Sequence, residues 1–410
     1  MFIFGWLVSA IFLKNIKKMN QKENKFKSFN LGSIIKSCLF LGFIFIVLYG
    51  AFTDPSDYDS RDSVFPDLAS PKEINYSWNY NGQEYNISTV LYGSVYEYYE
   101  KKPISYSYYD DDLPEDWEVD YYNMFLELPK KDSIISDILR DLKVEALKNN
   151  LNEDETVELV LSFVQAIPYD HDLAKKVLDG TEEVGPRYPY MVLYDDSGIC
   201  SGKSFLAYKL LQELGYGVAL FDYEDDKHLT IAIRCDKEYS SYNSGYCYTE
   251  ITAPESPVGI FAKFSDNSLG AAMSASDYFN DNTFDNISDL GDVEIYLKMD
   301  GKVYGNAEYN IKTNNTILEL FREISGMEEV SKSLEIEINN NEARLETIET
   351  DLNYYDAIDS VYRYNLLVPQ YNNLLDQIET QIKNYNNYIL SYNSKFDEMS
   401  SLIVDLYGEE

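Results

Sequence analysis

The chain has 410 residues, 45% of them hydrophobic and 38 of them tyrosine, which is enough to bury a substantial core and excludes disorder along its whole length. Its net charge of −36 argues against a nucleic-acid surface, which needs clustered Lys and Arg to displace counterions; no basic stripe with interleaved aromatics occurs. Only 4 cysteines and 2 histidines are present, so the position of each is informative.

The charge is unevenly divided along the chain. Residues 1–33 carry Lys14, Lys17, Lys18, Lys22, Lys25 and Lys27 against Glu23, and read as a basic cytoplasmic tail. Ile34 and Ile35, a snorkelling Lys36 and the uncharged run 37–53 together approach the roughly 20 residues that span a bilayer. Residues 34–53 are therefore expected to form one transmembrane helix, a single-pass anchor in the cell membrane with the C-terminal domain extracytoplasmic. A cleaved signal peptide is the alternative, and Tyr49-Gly50-Ala51-Phe52 is a poor match to its small-residue cleavage site. Residues 54–72 read as an acidic linker rich in Pro, Ser and Asp.

Residues 73–150 open as a tyrosine-rich, strand-like region in which alternating aromatics flank Asn81-Gly82, the signature of a hairpin. The stretch DSIISDILRDLKVEALKNN then takes a helical period, and a second helix opens at Asn152, spaced from Glu155 as a cap, and stops before Pro168. Gln165 in that helix is a weak candidate for an oxyanion donor. His171, in PYDHDL, reads as a surface residue of a loop.

The most informative stretch is DDSGICSGKSFLAYKLLQELGYGVALF, residues 195–221. Gly198 supplies a turn, and Cys200 begins a helix with Phe205, Leu206, Leu210, Leu211 and Leu214 as its buried stripe and Gly215 as its end. A thiol at a helix N-terminus faces unpaired N–H groups and the positive end of the dipole, which favours the thiolate. GVALF and HLTIAIRC follow as strands, with His228 opening the second, and YCYTEIT as a third places Tyr248, Glu250 and Thr252 on one face. A His and an acid on adjacent strands facing a helix-borne Cys form the nucleophile, base and orienting group of thiol enzymes.

Cys235 and Cys247 bracket DKEYSSYNSG and could clasp a hairpin in an exported protein. Direct pairing of the two in a regular ladder would set residue 232 opposite Glu250 and leave His228 four residues away, roughly 13 Å along the strand. A triad and a bridge together therefore require a bulge or a long twisted loop, and the bridge is left open. No CxxC or HxxxH spacing marks a metal site, and no cofactor is expected.

From about Ile317 long helices are predicted. Val330, Leu334, Ile338, Leu345, Ile348, Leu352 and Tyr355 form one seam; Tyr371, Leu375, Ile378, Ile382, Tyr385, Ile389 and onward form a stricter one. The phase breaks between Tyr355 and Tyr364, with Pro369 following, which favours a helical hairpin over 317–407 above one kinked rod. Coiled-coil self-association or a helical partner is open to such a segment.

YPYMVLYDDSGICSGKSFLAYKLLQELGYGVALF, KHLTIAI and YCYTEIT resemble the transglutaminase-like superfamily, and LSFVQAIPYD and PRYP resemble its membrane-attached archaeal members. The resemblance covers roughly residues 73–265. It implies an α+β fold with a papain-like core over 151–310, in which a helix-borne Cys packs on an antiparallel sheet, preceded by the transmembrane helix and followed by the coiled coil. It also implies Cys200 as nucleophile, His228 as base and Glu250 as the third member. The chain has Ile199 before the cysteine where the family often has an acid, and Glu250-Ile251-Thr252 where it usually has Asp-x-Thr; Glu reaches further than Asp. The expected activity is thiol chemistry on amide bonds of a protein or peptide substrate through an acyl-enzyme, by hydrolysis or transfer. The competing expectation is a cell-surface binding or scaffold protein that keeps the fold without catalysis.

Overall fold

The computed structural model describes residues 64–107, 114–180, 184–264, 269–273, 287 and 289–408. The basic tail, the span expected at 34–53 and most of the acidic linker lie outside the described residues.

Strands β1 (Pro71–Tyr80) and β2 (Gln83–Tyr92) pair antiparallel around Asn81 and Gly82, whose φ of 49° and 66° are those a two-residue hairpin turn demands. Ile74, Tyr76, Trp78 and Tyr80 point inward from β1, and the polar residues between them face out. Helices α1 (Gly93–Glu100), α2 (Trp117–Leu126), α3 (Ile134–Lys148) and α4 (Glu153–Ala166) follow. At the start of α4 the Asn152 side chain accepts from the Glu155 N–H at 3.0 Å, and the Glu155 carboxylate accepts from the Asn152 N–H at 2.6 Å. The hairpin packs on this helix: Tyr76 and Trp78 meet the Phe163 ring edge-on, and Trp78 donates to Ser162 at 3.0 Å.

After α5 (His171–Asp179) and α6 (Pro189–Asp195), α7 (Cys200–Leu214) runs through the centre of the core. Phe205, Leu206, Ala207, Leu210 and Leu211 are fully buried, so α7 shows an apolar surface wider than a single stripe. Strands β3 (Val218–Tyr223), β4 (His228–Arg234), β5 (Tyr246–Thr249) and β6 (Glu294–Met299) form an antiparallel sheet in the order β5-β4-β3-β6. The period of two divides its side chains. Val218, Leu220, Leu229, Ile231 and Ile233 join the helices in the main core, while Ala219, Phe221, Tyr223, Ala232 and Tyr248 form a second cluster on the other face with Phe261.

Two long helices, α8 (Ala307–Ala357) and α9 (Val361–Tyr407), pair antiparallel across a turn at 358–360, where Asp359 takes a left-handed φ of 55°. Contacts along their length keep one register: Asn341 with Gln381 at 3.0 Å, Tyr392 with Glu328 at 3.0 Å and Tyr407 with Asn314 at 2.8 Å. Pro369 lies inside α9 and does not end it. Near the turnless end, Ile317, Leu320, Ile324, Met399 and Tyr407 form a small core of their own, and Asn310 donates to the Val258 carbonyl of the main domain at 3.1 Å.

The single transmembrane helix expected in the architecture is not supported: among the described residues no helix is long and apolar enough to cross a membrane. The two helices with sufficient length carry Glu, Asp and Lys throughout, and each such charge is expensive in hydrocarbon.

Candidate active site

Cys200 is the first residue of α7, and the chain leading to it is held by the strand-like segment after α4. The Gly198 N–H donates to the Pro168 carbonyl and its carbonyl accepts from the Asp170 N–H, both at 3.1 Å, so Tyr169 is stitched beside the turn that delivers the thiol. The thiol accepts from the N–H groups of Ser201 and Leu229 and hydrogen-bonds the His228 side chain. Burial alone would raise its pKa, but the imidazole hydrogen bond, the imidazolium charge and the two N–H donors outweigh it and hold Cys200 below its ordinary value.

His228 is 1% exposed and opens β4, so ring and thiol meet at a strand end. Its Nε2 lies 3.1 Å from Glu250 Oε2 and its Nδ1 lies 3.1 Å from the Gly270 carbonyl. Both neighbours are acceptors, a pair that only a ring protonated at both nitrogens satisfies, so the surroundings favour imidazolium. Burial works against that charge, but the Glu250 carboxylate and the thiol overcome it and raise the pKa from 6.5 to about 10.

Glu250 is wholly buried and saturated with donors. Oε1 accepts from the N–H groups of Ile251 at 2.9 Å and Thr252 at 2.7 Å and from the Thr252 hydroxyl at 2.5 Å. Oε2 accepts from His228 and from the Tyr248 hydroxyl at 2.5 Å. Burial would raise its pKa; the His228 charge and these hydrogen bonds lower it to about 2 instead. The carboxylate is thus fixed in place and in charge.

The conflict between bridge and triad resolves in the register. Cys235 and Cys247 are bonded, with S–S 2.00 Å and Cα–Cα 5.8 Å, but they are not directly opposed, because Cys247 pairs with Ile233. Ile231 pairs with Thr249, so the ladder extended by one step sets Glu250 against Thr230, two residues from His228 instead of four. The longer reach of Glu spans the remainder.

Gln165, the candidate oxyanion donor, has its amide engaged by two backbone carbonyls. Its Nε2 donates at 2.8 Å to the Glu250 carbonyl and at 2.8 Å to the Ser256 carbonyl, so it clamps the backbone that carries the acid. Lys203, one turn after Cys200, is 0% exposed and caps the end of α4 through the carbonyls of Gln165 at 3.1 Å and Ile167 at 2.6 Å. Burial lowers its pKa from 10.5 to about 7, and the Glu250 charge opposes this. A lysine in a helix sequence gives no hint of such burial. His171, expected in a loop, begins α5, exposed, with its ring 5.0 Å from that of Tyr169. Among the described residues no cluster of His, Cys, Asp and Glu could hold a metal.

A cleft of about 220 Å³ opens onto Cys200 and His228, lined on its apolar side by Tyr121, Tyr122, Ala174, Val177 and Leu178. Asp222 also faces it, accepting from the Tyr122 hydroxyl at 2.7 Å. Chemically, the arrangement presents a thiolate, a doubly hydrogen-bonded imidazolium and a carboxylate that cannot stray, beside a mostly apolar space. The chain matches no family model, no curated protein and no solved structure. The chemistry of the site therefore rests on its own geometry.

Proposed function

We propose that this chain is a cysteine-dependent amidase or acyltransferase acting on amide carbonyls of peptides or proteins through a thioester on Cys200. The observation that carries the reading is the buried relay in which Glu250, saturated by five hydrogen bonds, holds a protonated His228 against the Cys200 thiol. A carboxylate so completely satisfied serves packing poorly and orientation well. The likeness of the residues around Cys200, His228 and Glu250 to the transglutaminase-like superfamily supports the same reading, and the bridge between Cys235 and Cys247 supports an oxidising, extracytoplasmic setting. The apolar lining of the cleft favours an acyl group with an apolar or aromatic side chain.

The test is alkylation by iodoacetamide, read by mass on the Cys200 peptide across pH, together with acylation of the same peptide by an activated ester. Cys200 should react below the pH at which a free thiol of pKa about 8.5 does, and should accept the acyl group. A Cys200 that reacts no faster than a model thiol and takes no acyl group would assign the fold to binding without catalysis.

A further inference from the structure

Resting on the acyl-enzyme reading, we infer that Asp222 is a specificity-determining residue of the cleft, its carboxylate receiving the cationic end of a lysine or arginine side chain carried by the acyl group. Asp222 lies on β3 and pairs with Leu229, whose N–H reaches the Cys200 thiol. Neighbouring strands stand about 4.8 Å apart, so Asp222 is one strand width from the residue that touches the nucleophile. It lines the same cleft as Cys200 and His228, and among the described residues that do so it is the only carboxylate.

An acid at this position runs against its strand. Val218 and Leu220 precede it at the period of two and join the main core, as Leu229 does from across the ladder. Position 222 continues that row, and the packing of an apolar row needs no charge. Tyr122 holds one of its oxygens, donating to Oδ2 at 2.7 Å, with its own ring against those of Phe205 and Tyr296. Among the described residues nothing donates to Oδ1, so the carboxylate is anchored by one oxygen and unengaged at the other. Lys227 also lines the cleft, exposed, but no ion pair joins it to Asp222.

Charge and lining agree on what the cleft takes. Burial raises the Asp222 pKa, the Tyr122 hydrogen bond lowers it, the Glu224 and Glu294 charges raise it and the His228 charge lowers it. A cation beside Oδ1 offsets both the burial and the two glutamates. Ala174, Val177 and Leu178 wall the same space, and a long basic side chain lays its methylenes on such surface while its charged head seeks a polar partner. Tyr121 and Tyr122 add to this, because a tyrosine ring attracts a cation within about 6 Å of its centre. An apolar side chain uses the same walls but leaves the carboxylate without a counter-charge, and Asp222 separates the two.

The test compares the p-nitrophenyl esters of N-acetyl-lysine and N-acetyl-norleucine, which share an unbranched stem and differ in the terminal ammonium. Acylation of Cys200, with release of p-nitrophenolate, is read by mass on its peptide below saturation, each rate divided by that of the same ester with a free thiol. A hydrogen bond to a charged group is worth roughly 10- to 100-fold, so wild type should take the lysine ester at least about tenfold faster. Asp222→Asn keeps an acceptor for Tyr122 and removes the charge, and should bring the ratio of the two rates near unity. Asp222→Leu, which continues the apolar row, should reverse the order. The ratio cancels any change in the thiol common to both esters, and alkylation by iodoacetamide reports a folded site in each variant. A wild type that takes the norleucine ester as fast or faster would overturn this assignment and leave the acyl-enzyme reading standing. A lysine preference that survives either substitution would overturn the part given to Asp222. A wild-type Cys200 that alkylates but accepts neither ester would overturn the acyl-enzyme reading and this one with it.

Discussion

Replacing Glu250 by Gln changes one carboxylate oxygen to an amide nitrogen with almost no change of shape, and the donors around it dictate the result. Ile251 N–H, Thr252 N–H and the Thr252 hydroxyl all address one oxygen, so the glutamine must turn its own oxygen towards them. Its NH₂ then faces His228 Nε2 and the Tyr248 hydroxyl. The hydroxyl can rotate to accept, but Nε2 can accept only if it loses its proton, which leaves a neutral ring protonated at Nδ1 towards Gly270. With the carboxylate gone, only the Cys200 thiol still opposes burial on a ring now held at about 10, and its pKa should fall towards the ordinary 6.5. A complete return from about 10 to 6.5 is about three powers of ten in proton affinity, on the order of 5 kcal/mol, and the thiol retains part of it. Without imidazolium, Cys200 keeps the burial that raises its pKa and loses the His228 charge that helps to lower it. Alkylation at pH 6 should therefore slow at least about tenfold in Glu250→Gln, with the inflection moved to higher pH. Superposable pH profiles for wild type and variant would refute the role given to the carboxylate, because an isosteric change leaves packing as it was.

Two predictions concern stability. Reducing the Cys235–Cys247 bridge, or replacing both residues by Ala, reopens a loop with a sequence separation of 12, which chain entropy values at about 3 kcal/mol; the urea midpoint should fall accordingly, and an unmoved midpoint would show that the loop is ordered without its bridge. The Lys203 pKa is lowered from 10.5 to about 7 on folding, so from pH 7 to 10.5 the unfolded chain binds the extra proton and this group makes stability rise with pH, by at most about 1.4 kcal/mol per unit. Lys203→Met should remove that rise from urea midpoints measured between pH 7 and 10, and a variant with the wild-type slope would contradict the buried placement.

What was legible in the sequence was local. Asn81-Gly82 between alternating aromatics, Asn152 three residues before Glu155, and Cys200 after a glycine turn each declare their structure through a few neighbours, and each element lies where that reading puts it. The site was legible as residue types on elements, less so as geometry. A ladder registered by opposing the two cysteines misplaces Glu250 by two residues, because the bridge is diagonal and the pattern of alternation cannot report a shift that keeps every residue on its face. Gln165 and Lys203 take their roles from carbonyls that lie far away in sequence or belong to a helix end, and no periodicity carries that information. Local punctuation can also mislead: Pro369 looks like a boundary, yet the helix runs through it.

The hairpin leaves the domain and comes back to it. Asn310 ties its outgoing arm to the Val258 carbonyl, the returning Tyr407 is fastened to Asn314, and beyond Ile324 the side-chain bonds between described residues run from arm to arm, as Asn341 to Gln381 and Tyr392 to Glu328 do. A heptad removed from both arms at matched positions would shorten the projection by about 10 Å and leave the register of what remains intact. Nothing in the cleft around Cys200 would be asked to adjust. The projection is in effect a ruler grafted onto the domain that carries the cleft, and evolution or an engineer could lengthen or trim it in steps of one heptad without disturbing the site.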